Sequence, residues 1–124
     1  MRILFGDGTC EDIDTEPVGG SYRLLGTPLC SSSDLRLGDV VELTSEGDIW
    51  RFQRVMTRSP LVTLEYLVTR KIAELPDFHS LLEQVRTSGG EWERAFGGVV
   101  FIHLPPSFVP RIRSRMAELL KENE

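Results

Sequence analysis

The sequence predicts an α+β protein: a mainly antiparallel sheet, open or curled into a partial barrel, with two helices packed on one face. Three observations carry this. The first sixty residues break into short alternating segments separated by Gly and Pro. Two later stretches, around 78–85 and 109–120, carry apolar residues at helical spacing. Between them runs Val99-Val100-Phe101-Ile102-His103-Leu104, apolar on both faces, the pattern of a central strand. The chain of 124 residues is read as a single domain over 1–124, with a β-rich sub-region 1–58 and an α/β sub-region 59–124. At this length a core forms without a metal or disulfide staple.

Arg2 to Phe5 reads as a first strand, stopped by the turn signal Gly6-Asp7-Gly8. A short strand around Ile13 and a better one at Tyr22-Arg23-Leu24-Leu25 follow, the latter closed by Gly26-Thr27-Pro28. Cys30 to Asp34 is a polar loop. Gly38-Asp39 turns the chain into a hairpin: Val40 to Thr44, a loop at Ser45 to Asp48 in which Gly47 is free to adopt positive φ, and a return strand from Ile49 to Thr57. Alternation puts Trp50, Phe52 and Met56 on one face of that strand and Arg51 and Gln53 on the other, with Arg54 interrupting the apolar side. Ser59-Pro60 breaks the strand. Leu61 to Arg70 alternates again, with Val62, Leu64, Tyr66 and Val68 facing one way, Thr63, Glu65 and Thr69 the other, and Leu67 as the exception. On the polar face, Glu42, Arg51 and Glu65 are expected to pair across strands.

Pro76 and Asp77 start the first long helix. Phe78, Leu81, Leu82 and Val85 form its apolar stripe, and Ser88-Gly89-Gly90 ends it. Glu91 to Phe96 fits either a short strand or a helical turn, with Trp92 and Phe96 turned inward. Pro105-Pro106 stops the central strand. Ser107 is the expected N-cap of the last helix, whose core stripe is Val109, Ile112, Met116, Leu119 and Leu120.

Composition then narrows the function. Net charge is −5, and the surplus lies at the front: residues 1–58 hold 6 basic and 10 acidic side chains, residues 59–124 hold 8 and 9. Non-specific nucleic-acid binding draws on Lys and Arg against phosphate, so the overall field opposes it. Cys10 and Cys30 show no metal-ligand spacing and no disulfide framework. No apolar run reaches the roughly 18 residues of a membrane span, and Met1 to Phe5 is too short for a secretory core. A cytoplasmic setting with reduced thiols is expected, with no cofactor and no metal.

No phosphate loop, dinucleotide signature, zinc-protease motif or nucleophile elbow is present. His79 and His103 are the two histidines. Neither has a nucleophile and an acid at a legible spacing, and a hydrogen-bonded structural histidine is the favoured reading of His103. The arginines offer more. Arg51, Arg54 and Arg58 share one strand and Arg70 closes the next, a grouping suited to an anion or an acidic partner, with cross-strand pairing to Glu42, Glu65 and loop acids as the simpler reading. Arg111, Arg113 and Arg115 lie near the start of the last helix and Glu118, Glu122 and Glu124 near its end. The helix dipole favours the reverse order by roughly 0.3–1 kcal/mol per charge. Five buried apolar side chains at roughly 1.5–3 kcal/mol each outweigh that. Arg111 and Arg115 are therefore candidates for docking on something anionic, against a simpler pairing with acids of residues 7–16.

Tyr22-Arg23-Leu24, Thr27-Pro28-Leu29, Leu37-Gly38-Asp39-Val40-Val41-Glu42, Phe52-Gln53-Arg54-Val55 and Leu104-Pro105-Pro106 occur in an order that resembles a family of small uncharacterised bacterial proteins. In that family a Tyr-Arg-Leu strand precedes a Gly-Asp-Val-Val-Glu strand, and an Arg-Val strand follows. A Ser-Gly-His-Ser segment often comes next; Ser59-Pro60-Leu61-Val62 stands there in this chain, without the histidine. The resemblance implies a bacterial, cytosolic setting. It carries no activity and no site.

The function expected from the sequence is a small non-enzymatic bacterial protein-interaction or regulatory module, of which a toxin-neutralising immunity protein is one form. It would bind a protein partner through a sheet edge or through Arg51, Arg54, Arg58, Arg70, Arg111 and Arg115. The alternative is a small barrel binding a specific nucleic acid through the same arginines. A hydrolase or transferase comes last, for want of an acid–base–nucleophile set. Oligomeric state is left open.

Overall fold

A computed structural model describes residues 1–31, 34–95 and 97–123. The protein is α+β and divides into two compact units, 1–59 and 60–124. The boundary lies one residue from the shift in sequence character at 58/59.

The first unit is a six-stranded mixed sheet. Its strands are β1 (Arg2–Leu4), β2 (Cys10–Asp12), β3 (Thr15–Val18), β4 (Ser21–Leu24), β5 (Val40–Glu46) and β6 (Ile49–Thr57), ordered β2-β1-β6-β5-β4-β3. Neighbours run antiparallel except β1 and β6, which are parallel. The end strands β2 and β3 do not pair with each other, so the sheet is not a closed barrel. Ile3, Phe5, Ile13, Leu24, Leu35, Val41 and Leu43 form the core, with Tyr22, Trp50, Phe52 and Val55 packed against it.

The β5–β6 hairpin is tighter than expected: Glu46 pairs with Ile49, leaving only Gly47-Asp48 as the turn. The facing of β6 also differs from strict alternation. Leu43 lies opposite Phe52, Glu42 opposite Arg54, Val41 opposite Val55 and Val40 opposite Thr57. Gln53 and Met56 are thus extra residues in two bulges, each of which slips the pleat by one. Arg54 is thereby turned to the side of Glu42. Val55, not Met56, packs on the core, and Met56 is exposed.

The single sheet expected from the sequence is in fact two. Both sides of β6 are occupied, by β1 and by β5, so no place beside it is left for the strand that follows Ser59-Pro60. That strand, β7 (Val62–Leu67), instead opens the second unit. There, α1 (Arg70–Ala73), α2 (Pro76–Thr87), β8 (Glu91–Ala95), β9 (Val99–Leu104) and α3 (Val109–Glu122) follow, with a 3-10 turn at Pro106–Phe108 before α3. The sheet is antiparallel in the order β7-β9-β8, which places the doubly apolar run in the centre. Glu91 to Ala95 resolves as a strand, and Trp92 packs on the core. Phe96, Glu124 and the Ser32-Ser33 part of the polar loop lie outside the described residues.

The two long helices share one face of this sheet, as their stripes require. Phe78, Leu81, Leu82 and Val85 of α2 and Ile112, Met116 and Leu119 of α3 pack with Leu64, Val100, Ile102 and Leu104, and Val109 and Leu120 lie at the margin. Ser107 falls inside the 3-10 turn and does not cap α3, whose N-terminal flank Phe108 makes no side-chain cap bond. The extra turn from Pro106 moves the helix start one residue on. The short α1 was not expected; Thr69 begins it by accepting the Ile72 N–H at 3.3 Å. Gly90 follows α2 where the chain enters β8. A Cβ there would stand 2.3 Å from the His103 carbonyl oxygen, so only glycine fits the approach.

Candidate functional site

The arginines read from the sequence do not form a free basic patch. Arg51 Nε donates to Glu46 Oε2 at 2.6 Å, and Arg54 donates to Glu42 at 3.2 and 3.3 Å. Glu42, Arg51 and Glu65 do not pair with one another: the bulge gives Glu42 to Arg54, and Glu65 belongs to the other sheet. Arg58 reaches Asp34 at 3.1 Å and Asp39 at 3.2 Å. Arg70 pairs with Glu74 one turn along, at 3.1 Å. On α3, Arg115 donates to Gln84 Oε1 of α2 at 2.6 Å, while Arg111 is exposed with no ion-pair partner among the described residues. The guanidinium of Arg51 holds the Glu46 carboxyl below the usual range, and that of Arg58 does the same to Asp34.

Among the described residues two polar side chains are fully buried, Asp39 and His103. Asp39 closes the first unit. Its Oδ1 accepts the Ser59 N–H at 2.7 Å, and its Oδ2 accepts the Arg36 N–H and the Arg58 guanidinium, both at 3.2 Å. The start of β5 is thereby tied to the end of β6.

His103 is placed by the sheet of the second unit. It lies opposite Thr63 of β7 and Glu91 of β8, on the face away from the helices. Phe101, two residues earlier, stacks nearly parallel to it at 6.5 Å. Its Nδ1 is 2.8 Å from Thr63 Oγ1, and its Nε2 is 2.7 Å from Glu93 Oε2. A carboxylate only accepts, so in the neutral ring the proton sits on Nε2 and points at Glu93. Nδ1 is left to accept the Thr63 hydroxyl. A hydroxyl, an imidazole and a carboxylate thus stand in line.

Thr63 opens onto the edge of the sheet. Among the described residues β7 pairs on one side only, with β9. Just past its end the Val68 N–H bonds the Gly98 carbonyl at 2.8 Å. Antiparallel bonding alternates, so Val62, Leu64 and Tyr66 turn their backbone groups to β9, and Thr63, Glu65 and Leu67 turn theirs outward. Along this edge runs a cleft of about 430 Å³, lined by Thr63, Leu64, Glu65, Tyr66 and Arg113 of α3. Burial pushes the Tyr66 hydroxyl above its ordinary range, and Arg113 beside it pulls the other way. Arg113 has no ion-pair partner among the described residues. Leu67, at the end of the strand, is 79% exposed.

Sequence reasoning missed Thr63, Glu93, Tyr66 and Arg113 as a group. Thr63 and His103 are 40 residues apart, and only strand register brings them together. His79 is exposed on α2, away from this line. Cys10 and Cys30 are free and exposed, and among the described residues no group of three or more His, Cys, Asp or Glu is arranged to hold a metal. No helix among them is long and apolar enough to cross a membrane.

A solved structure of a hypothetical protein from Neisseria gonorrhoeae is similar to this chain. The two match at a TM-score of 0.67 and 15% identity, over 98% of this chain and 87% of the other. At that identity the likeness shows the fold. No protein-family model matches the sequence, and no curated protein does.

Proposed function

We propose that this chain is a bacterial, cytoplasmic protein-interaction module that receives an extended segment of a partner along the free edge of β7. The observation that carries the reading is the cleft at that edge. Outward backbone groups of Thr63, Glu65 and Leu67 are available to a further strand, and Arg113 stands beside them without a carboxylate of its own. Strand addition of this kind takes affinity from main-chain hydrogen bonds and specificity from flanking side chains. The partner segment would carry a carboxylate opposite Arg113. Two exposed free cysteines suit a reducing compartment, and the resemblance to small bacterial proteins supports the setting.

Nucleic-acid binding has less support. Arg51, Arg54, Arg58 and Arg70 each face a carboxylate. Trp50 and Phe52, the aromatics among them, pack on the core of the first unit and offer no stacking platform.

The test is selection from a displayed library of random linear peptides, followed by affinity measurement. Enriched peptides should carry an acidic residue. Their binding should weaken roughly tenfold or more in Arg113→Glu, the loss of a well-placed charge pair. Glu65→Pro should weaken it similarly, because proline removes an outward donor and spares the β7–β9 ladder. A library that yields no binder, or binders indifferent to both substitutions, overturns the reading.

A further inference from the structure

We propose that Thr63 is an acyl-accepting nucleophile, activated by His103 and positioned through Glu93, and that the β7 edge cleft is an esterase site for small carboxylic esters. The inference goes beyond strand docking, which uses the same edge, and does not rest on it. It rests on geometry alone: Oγ1 to Nδ1 at 2.8 Å, Nε2 to Oε2 at 2.7 Å, a base with no solvent exposure, and a nucleophile lining an open cleft.

Each part of the set has a chemical role. The Glu93 carboxylate accepts the Nε2 proton and so fixes the tautomer in which Nδ1 is the free base. It also stabilises the imidazolium that forms when Nδ1 takes a proton. The full burial of His103 strengthens its hydrogen bonds to Thr63 and Glu93 and so holds the ring in place. One outward backbone N–H of β7, on the same strand as the nucleophile, is the donor for the developing oxyanion.

The reaction balances with water as the only co-reactant. Thr63 Oγ1 attacks the acyl carbon and its proton passes to His103 Nδ1. The ester C–O bond breaks, and the leaving alcohol takes that proton. Water then attacks the acyl-threonine and gives a proton to Nδ1. The Thr63–acyl bond breaks, Oγ1 recovers the proton, and the free acid departs.

The experiment incubates the full chain with p-nitrophenyl acetate, follows nitrophenolate release, and maps the acetyl group by peptide mass spectrometry. An acetyl group on Thr63 is expected. Thr63→Ser should retain it, and Thr63→Val should abolish it with the far-ultraviolet circular dichroism unchanged. His103→Gln should slow acetylation by roughly 10²-fold or more. Glu93→Gln, which permits the opposite tautomer, should alter the pH profile of acetylation, a readout that a merely structural carboxylate would not move. Acetyl groups on lysines alone, no adduct at all, or equal release from wild type and Thr63→Val overturns the proposal. Mapping of the wild-type protein decides the matter even where His103→Gln fails to fold.

Discussion

Among the described residues the two units fully bury one polar side chain each, and they do so for different ends. In 1–59, Asp39 is held by two backbone N–H groups and one guanidinium, all of them donors with no second acceptor to serve. The result is a lock on the chain. In 60–124, His103 sits between a hydroxyl and a carboxylate, a line along which a proton can move, and that line ends at a cleft. The surrounding charges differ as well, although Arg70 of the second unit has Glu74. The sequence-flagged arginines of the first unit are matched by acids on neighbouring strands or loops, whereas Arg111 and Arg113 of the second have none among the described residues. A basic cluster in sequence therefore became internal pairing, and a threonine of a polar strand face became the partner of the buried histidine. Burial with donors alone fixes structure. Burial with a mixed donor and acceptor set leaves chemistry available.

The comparison can be broken most forcefully at the cores. Phe78 is fully buried between α2 and the three-stranded sheet. Phe78→Ala should cost roughly 3–5 kcal/mol in urea unfolding followed by circular dichroism. A cost below about 1 kcal/mol would mean that the helix layer is not what holds the second unit together.

Asp39→Ala should cost less, roughly 2–3 kcal/mol, because Ser59 N–H and Arg36 N–H lose their acceptor while half-exposed Arg58 can turn to water. Asp39→Asn keeps an acceptor oxygen and should recover part of the loss. Equal unfolding midpoints for Ala and Asn would show that the charge, not the hydrogen bonding, is what Asp39 contributes.

The smallest effect concerns the surface pairs. Asp34 should titrate below its ordinary value of 3.8, because Arg58 donates to it and lies close in charge. A lowered folded-state value means that this pair contributes stability above the unfolded-state value. The contribution is lost as pH falls through the folded one. Arg58→Gln should return the Asp34 midpoint toward 3.8 in a carboxyl-carbon nuclear magnetic resonance titration. An unmoved midpoint would leave Arg58 as a partner of Asp39 alone.

Much of the fold was legible in the sequence because periodicity reports burial directly. The stripe Phe78, Leu81, Leu82 and Val85 could only be a helix with one dry face, and the run Val99 to Leu104 could only be a strand covered on both. The return strand Ile49 to Thr57 was placed with its observed bounds. Its facing failed at Gln53 and Met56, because a bulge leaves no periodic trace: one inserted residue exchanges in and out beyond it. The site was less legible still. Arg51, Arg54, Arg58 and Arg70 were conspicuous as a run of like charge, yet whether an acid stands opposite each depends on pairing register. Thr63 and Glu93 carried no signal, since a threonine and a glutamate on polar strand faces are ordinary.

The amino-acid sequence by itself determined the α+β class, the two helices, the central strand and the change of character near residue 58. Each follows from local patterning of apolar side chains, which a window of ten or so residues contains. Only the tertiary structure decided that the strands form two sheets, that β1 takes the free side of β6, and that Thr63, His103 and Glu93 meet. Those outcomes depend on which strand occupies which edge and in what register, a competition among segments far apart in the chain. The free energy that settles it is the burial of whole faces at once, which no single stretch of sequence records.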